Sequence, residues 1–236
     1  MKSRNSALTG STQSNRGRIF HFTFKGWPWG RLFLLLLLTS CQAKPVPPAY
    51  SSLFVLQQEL NRLKPLLHPG DLVLRNGTDA TSQATRKFNR RDTSFSHCGI
   101  IDVADDTVWV YHAIGGSYNP GQTLKKELLD SFSKPGETDR IAVYRYALAR
   151  EEQELLMTTV QEYYKNGLPF DLFFNFDTDD RMYCSEFVFK CVNKSMHGRL
   201  SPVILRQRPP VYISIDDLFL NEWASPVKKI NYRALQ

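Results

Sequence analysis

The first regular pattern of apolar residues is a set of leucines between residues 51 and 67, spaced three and four residues apart. This spacing places them on one face and predicts a helix over residues 51–66. A second helix is predicted over 149–165, where glutamates in the first turns suit the positive end of the helix dipole. Shorter helices are predicted at about 184–195 and 214–223.

Apolar runs between these helices predict short strands. The turn at 104–107 joins the second and third strands into a hairpin. Polar residues 76–95 predict an irregular or partly helical loop with Asn76-Gly77 as a turn, and residues 168–183 predict a second loop. The predicted strands are 71–75, 99–103, 108–112, 141–146 and 226–233.

Helices that bracket a group of strands are typical of an α+β domain, with an antiparallel sheet packed against helices. The order of elements lacks the strict strand-helix alternation of a parallel sheet. The chain has 236 residues, of which 42% are hydrophobic, and this is enough for one domain with a sizeable core. We expect residues 51–236 to form that domain.

A basic and then apolar leader precedes this domain. Residues 1–40 contain six basic residues, no acidic ones, and a run of seven apolar residues from Leu32 to Leu38. Such a run is too short to span a bilayer, which needs roughly 20 residues, and it favours a signal peptide. The following Thr39-Ser40-Cys41 completes a segment that resembles the bacterial lipoprotein box.

The resemblance implies a lipoprotein signal peptide over 1–40, lipidation of Cys41 and a proline-rich tether over 41–50. The protein would then be exported and lipid-anchored in the bacterial envelope. By the same resemblance, Gln42 after the cysteine would favour the periplasmic face of the outer membrane. An ordinary signal peptide with a chance cysteine, or a short buried helix, stays open as an alternative.

The charge of the chain is uneven, and this bears on its partners. The formal net charge is +7, but the leader holds six of the 30 basic residues. The rest of the chain is close to neutral, with 24 basic residues against 23 acidic ones. The basic balance therefore belongs to the leader, and nucleic acid is not an expected partner.

Three cysteines remain if Cys41 carries lipid, and an odd number leaves at least one free thiol. A disulfide between Cys98 and Cys191 stays open. No pair has CxxC spacing, and no set of cysteines and histidines suits zinc, so we expect neither a metal site nor a cofactor.

Cys184 lies at the start of a predicted helix, where the dipole and free backbone N–H groups favour the thiolate. Those N–H groups could also bind a developing oxyanion. A thiol nucleophile needs a base, and the predicted hairpin could bring His97 and His112 to the same end of the sheet as a base and its orienting partner. A buried structural thiol and ordinary strand-end histidines are the alternatives.

The order and spacing of these residues resemble the YiiX/YaeF-like permuted papain family, relatives of NlpC-type cell-wall hydrolases. The resemblance covers most of residues 68–192. It implies a circularly permuted papain-like fold, with Cys184 as nucleophile, His97 as general base and acid, and the residue at 112 as orienter. The segments that carry it are Pro69-Gly70-Asp71, Ser96-His97-Cys98-Gly99, Tyr111-His112-Ala113, Gly167 to Asp171, Asp179 to Tyr183 and Cys184-Ser185-Glu186.

This chain departs from the family pattern at His112, because YiiX-like proteins tend to have glutamate there. The related lecithin-retinol acyltransferase-like proteins use histidine. A neutral imidazole stabilises a protonated His97 less than a carboxylate would. Glu186 and Asp171 are nearby acidic candidates with structural or substrate-facing roles, and Tyr183 and Arg181 are candidates for the cleft wall.

The resemblance implies a cell-envelope cysteine amidase or peptidase that acts through a thioester. Its substrate would be a peptidoglycan peptide or another amide-linked envelope molecule. Two other functions stay open: a lipid acyltransferase or phospholipase that uses the same Cys-His site, and an envelope binding module without catalysis. The sequence leaves the oligomeric state open.

Overall fold

The computed structural model describes residues 49–205 and 211–235. The predicted signal peptide, Cys41 and most of the tether lie outside these residues and stay predictions. Within the described part of the chain, no helix has the length and apolar character that crossing a membrane requires.

The described residues form seven α-helices and six β-strands. The helices are α1 (Ala49–Leu63), α2 (Ala80–Thr85), α3 (Leu129–Phe132), α4 (Arg150–Lys165), α5 (Cys184–Ser195), α6 (Ser201–Ile204) and α7 (Ile215–Phe219). The strands are β1 (Leu72–Gly77), β2 (His97–Ala104), β3 (Thr107–His112), β4 (Lys125–Leu128), β5 (Thr138–Tyr146) and β6 (Ala224–Asn231).

The strands form one sheet in the order β4-β3-β2-β1-β5-β6, and all neighbours are antiparallel. The predicted α+β class with an antiparallel sheet is confirmed. The predicted hairpin is β2–β3, and its turn residues Asp105 and Asp106 have φ angles of 49° and 59°. Short polar side chains such as aspartate tolerate this left-handed region better than most.

Successive residues of a strand point to opposite faces of a sheet, and each face has its own core. Cys98 and Ile100 of β2 belong to the core that α4, α5 and α7 complete. Ile101 belongs to the core on the other face, which α1 and α3 complete with Leu60 and Phe132 among others. His97 and Cys98 therefore leave β2 on opposite faces.

One prediction about the loops needs correction, and one segment holds elements that were not predicted. Asn76-Gly77 is not a turn: both residues pair with β5, where the register shifts at this point. The amide of Asn76 donates to Asp139 Oδ1 at 2.8 Å, which holds the strand end in the sheet. The segment between residues 112 and 141 contains a strand and a short helix, β4 and α3, that the sequence did not predict.

Candidate active site

A cavity of about 540 Å³ lies at the end of the sheet, where β1 ends, β2 begins and β3 ends. His97 and Cys184 both line it. Because the cavity lies at the strand ends, residues from both faces of the sheet reach it. The other walls are formed by the α2 region (Thr78, Asp79, Thr81, Ser82, Thr85), by Arg75, Ser96 and Glu137, by residues 113–116, and by Phe170, Leu172 and Phe174.

Cys184 is the first residue of α5, as the sequence predicts. Its side chain is buried against the sheet. A hydrogen bond from the Cys98 thiol lowers the pKa of Cys184, whereas burial of the side chain raises it. The backbone N–H groups of Ser185 and Cys98 lower the pKa further, and the net result is a pKa below the ordinary value of a cysteine. The position of Cys184 therefore favours the thiolate. One cause is the N–H groups at the start of the helix, as the sequence predicts, and the other is the Cys98 thiol, which the sequence did not predict.

Cys98 is the neighbour that supplies this hydrogen bond. Burial raises the pKa of Cys98 well above its ordinary value, and contact with Cys184 raises it further. Cys98, Cys184 and Cys191 are free thiols. Cys191 lies two helical turns, about 10 Å, beyond Cys184, so a Cys98 side chain that contacts Cys184 is not placed for a disulfide with Cys191.

The hairpin brings His97 and His112 together. His97 Nε2 and His112 Nδ1 are 2.7 Å apart. Both rings pack against Phe132 of α3, with centroids 5.7 and 5.2 Å from its ring. Gly99 makes room for this pair, because a Cβ at position 99 would lie 3.1 Å from His112 Cβ and 2.8 Å from the carbonyl oxygen of Tyr111.

A carboxylate stands behind His112, and sequence reasoning missed it. His112 Nε2 lies 2.9 Å from Glu127 Oε1, and Lys125 Nζ lies 2.8 Å from Glu127 Oε2. Burial opposes ionisation of Glu127, but the hydrogen bonds from His112 and Lys125 lower its pKa to about 2. Glu127 is therefore a carboxylate throughout the neutral pH range.

Both imidazoles are neutral near pH 7. Burial lowers the pKa of His97 well below its ordinary value, and the neighbouring His112, Arg75 and Lys125 lower it further. Burial also lowers the pKa of His112, although Glu127 opposes that shift. A neutral His97 has a lone pair and can accept a proton from a thiol in the same cavity.

The four other residues singled out in the sequence lie in the loop and helix around Cys184 and are not among the residues that line the cavity. Tyr183 is buried, and its hydroxyl accepts a hydrogen bond from Ile213 N–H at 2.8 Å. Arg181 is at the surface and pairs with Asp180 at 3.1 Å. The expectation that Tyr183 and Arg181 form the cleft wall is therefore corrected: Phe170, Leu172 and Phe174 take that place.

The two acidic candidates are fully buried. Asp171 accepts hydrogen bonds from the N–H groups of Phe173, at 2.8 Å, and Asn175. Glu186 accepts from Tyr183 N–H at 3.2 Å and pairs with Lys190 at 2.7 Å. Burial raises the pKa of Glu186 to about 7. Both carboxyl groups thus fix the backbone that leads into Cys184.

Residues 66–206 match the model of a family described as permuted papain-like amidase enzymes, YaeF/YiiX. The chain is 28% identical over 133 residues to YiiX of Escherichia coli, a protein described as uncharacterized. That match covers 56% of this chain and 60% of the relative's length. A crystal structure of an Escherichia coli metalloprotein, also YiiX, superposes with a TM-score of 0.52 at 21% identity, and the match covers 69% of this chain and 97% of that one. This last likeness concerns the fold.

Proposed function

Because this chain belongs to the permuted papain-like amidases of the YaeF/YiiX family, we propose that it is a cysteine amidase or peptidase with Cys184 as nucleophile. One observation carries the proposal. Cys184, at a helix N-terminus that favours its thiolate, shares a cavity with a neutral His97 whose ring is held by His112. A thiol, a base and an orienting partner for the base are the groups that acyl transfer to sulfur needs.

In the proposed reaction, His97 takes the proton from Cys184, and the thiolate attacks the carbonyl carbon of the amide. The oxyanion accepts hydrogen bonds from N–H groups at the start of α5. The imidazolium of His97 then protonates the leaving nitrogen, the C–N bond breaks, and a thioester remains on Cys184. Water attacks the thioester with His97 again as base, which releases the carboxylic acid and restores the thiol.

We propose that the substrate is an envelope molecule, either a peptidoglycan peptide or another compound with an amide-linked acyl group. The support comes from the leader, whose basic and apolar pattern and Cys41 are typical of an exported lipoprotein. A lipid on Cys41 would hold the catalytic domain close to the membrane through the tether at 41–50.

A lipid acyltransferase or phospholipase activity is the second candidate, and the loop at 172–174 favours it. Leu172 and Phe174 line the cavity and are 57% and 47% exposed, and Phe173 between them is 81% exposed. Such an apolar rim would suit an acyl chain.

A metal ion does not fit the residues of this site. The YiiX crystal structure is described as that of a metalloprotein. In residues 49–205 and 211–235 of this chain, no group of three or more His, Cys, Asp or Glu side chains is arranged to hold a metal ion. His97 and His112 direct ring nitrogens at each other, so these two atoms do not face a metal ion.

The two functions are separated by product analysis with the full-length protein. We expect the wild-type protein to cleave an amide bond in purified muropeptides and the Cys184→Ala variant to leave them intact. The products are separated by liquid chromatography and identified by mass spectrometry. Vesicles of phosphatidylethanolamine are the parallel substrate. Fatty acid released from the vesicles while the muropeptides stay intact would contradict the amidase proposal and favour the lipid-directed one.

A further inference from the structure

We infer that Glu127 is a positioning residue that determines which ring nitrogen of His97 serves as the base. The inference rests on the proposed function, since it concerns the same proton transfer. It comes from a continuous line of three side chains across three neighbouring strands. His97 Nε2 lies 2.7 Å from His112 Nδ1, and His112 Nε2 lies 2.9 Å from Glu127 Oε1.

The line of contacts allows one arrangement of protons. A carboxylate has no hydrogen to donate, and a ring nitrogen without a hydrogen would be repelled at 2.9 Å from Oε1 of Glu127, so Nε2 of His112 carries the hydrogen. A neutral imidazole has one N–H, which leaves Nδ1 of His112 as an acceptor. His97 must then donate from Nε2. The lone pair of His97 is therefore on Nδ1, and Nδ1 is the atom that accepts the thiol proton.

Without the carboxylate of Glu127, His112 is no longer held with its hydrogen on Nε2. His112 could carry its hydrogen on Nδ1 and donate it to Nε2 of His97, because the 2.7 Å contact serves either direction. His97 would then carry its own hydrogen on Nδ1 and could not accept one there. Half of the hydrogen-bond arrangements open to the pair would thus be inactive.

Glu127 also compensates charge in the step itself. The S–H bond of Cys184 breaks, its electron pair stays on sulfur, and a new N–H bond forms at Nδ1 of His97. Burial disfavours a positive charge on that ring, and so do two neighbouring cations, Arg75 from β1 and Lys125 from β4. From α3 the rings meet Phe132, which has no charge.

Glu127 is thus a negative group that faces this pair of rings, and it acts to raise the pKa of His112. Its contact with Lys125 at 2.8 Å holds the second carboxylate oxygen, so the first stays directed at His112.

The test uses the full-length protein and p-nitrophenyl acetate, an activated ester that transfers an acetyl group to a reactive thiol. We expect Glu127→Gln, which keeps the shape and removes the charge, to slow acetylation by about 10²-fold near neutral pH. Glu127→Asp should restore part of the rate. The control is Glu154→Gln, which removes a surface glutamate paired with Arg150 at 2.9 Å and should leave the rate unchanged.

Two further measurements exclude a merely structural role. In ¹⁵N NMR spectra, Nδ1 of His97 should lack a hydrogen in the wild type and gain one in part of the Glu127→Gln molecules. The double variant His112→Glu/Glu127→Gln should regain activity over Glu127→Gln alone, because it places a carboxylate directly beside Nε2 of His97. A loss of strand pairing would not be rescued in this way.

Wild-type acetylation rates and an unchanged pH profile in Glu127→Gln would overturn the inference. So would a hydrogen on Nδ1 of His97 in the wild type. A wild-type protein that is not acetylated at all would instead contradict the proposed function, and the NMR spectra would then decide the role of Glu127 by themselves.

Discussion

Replacing His97 with alanine is expected to slow acetylation of Cys184 by p-nitrophenyl acetate by about 10²- to 10⁴-fold at pH 7, the range that general-base catalysis supplies. The reason is that the proton of Cys184 would have to leave for water instead of for a neutral imidazole in the same cavity. The thiol itself remains, so the variant should still react at high pH, where a free thiolate forms without help.

The loss of His97 should also change how the acetylation rate depends on pH. In the wild type, acetylation should reach its plateau at a lower pH than in His97→Ala. Burial lowers the pKa of His97, so its neutral imidazole can accept the thiol proton, whereas the variant reacts only where a free thiolate forms. His68→Ala is the control, since His68 is exposed and uses its backbone N–H, at 2.9 Å from Asp71, for contact with the fold. Equal rates for the wild type and His97→Ala at pH 7 would contradict the role of His97.

Replacing Gly99 with alanine is expected to cost both stability and activity. The added Cβ would lie 2.7 Å from Val110 Cγ1 and 2.8 Å from the Tyr111 carbonyl oxygen, and the backbone atom cannot move aside cheaply. Overpacking of this kind costs about 1–3 kcal/mol in the free energy of unfolding. Because the Cβ would also lie 3.1 Å from His112 Cβ, the ring pair should separate and acetylation should slow.

The matched control is Gly121→Ala, where the nearest neighbours of an added Cβ are 3.9 Å away. Urea unfolding of both variants, followed by circular dichroism, gives the stability change, and the ester assay gives the rate. The result that would count against this explanation is a Gly99→Ala protein with the stability and rate of Gly121→Ala.

The sequence predicts those elements whose apolar pattern agrees with their final environment. The hairpin β2–β3 and helix α5 have such patterns, and the structure places their ends within two residues of the predicted ones. Strand β4 has the sequence Lys-Lys-Glu-Leu and little apolar alternation. It is a strand because β3 offers an edge for pairing, from Trp109–Leu128 to His112–Lys125, and such tertiary context overrides propensity.

Glu127 was missed for the same reason. Its contact with His112 depends on the register of a strand that the sequence does not reveal. The role of Cys98 was missed differently. The alternation of β2 could have placed Cys98 on the face opposite His97, but only the packing of α5 against that face brings its thiol to Cys184.

The path of the loop at residues 168–183 decides which of its side chains line the cavity. Residues 168–183 predict a loop rich in aromatic residues, but the choice between Phe170 and Tyr183 as wall residues depends on hydrogen bonds made by buried groups. Tyr183 turns inward to accept from Ile213 N–H. Asp171 turns inward to bind the N–H groups of Phe173 and Asn175, which leaves Phe170 facing the cavity.

From the sequence alone, His112 is a weaker partner for a protonated His97 than a carboxylate would be. The structure places Glu127 2.9 Å from its far nitrogen, so the carboxylate acts through one more ring. A histidine at position 112 is then compatible with acid-base chemistry at His97, provided that Glu127 is ionised, as its pKa of about 2 requires.

The most direct test of the central claim is to find which residue carries the acyl group. The full-length protein is treated with p-nitrophenyl acetate, quenched in acid and analysed by intact mass and by peptide mapping. We predict one acetyl group on Cys184 in the wild type, none at that site in Cys184→Ala, and retained acetylation in Cys98→Ala and Cys191→Ala. Acetylation at wild-type rate in Cys184→Ala, or its loss in Cys191→Ala with Cys184 intact, would contradict the assignment of Cys184 as nucleophile.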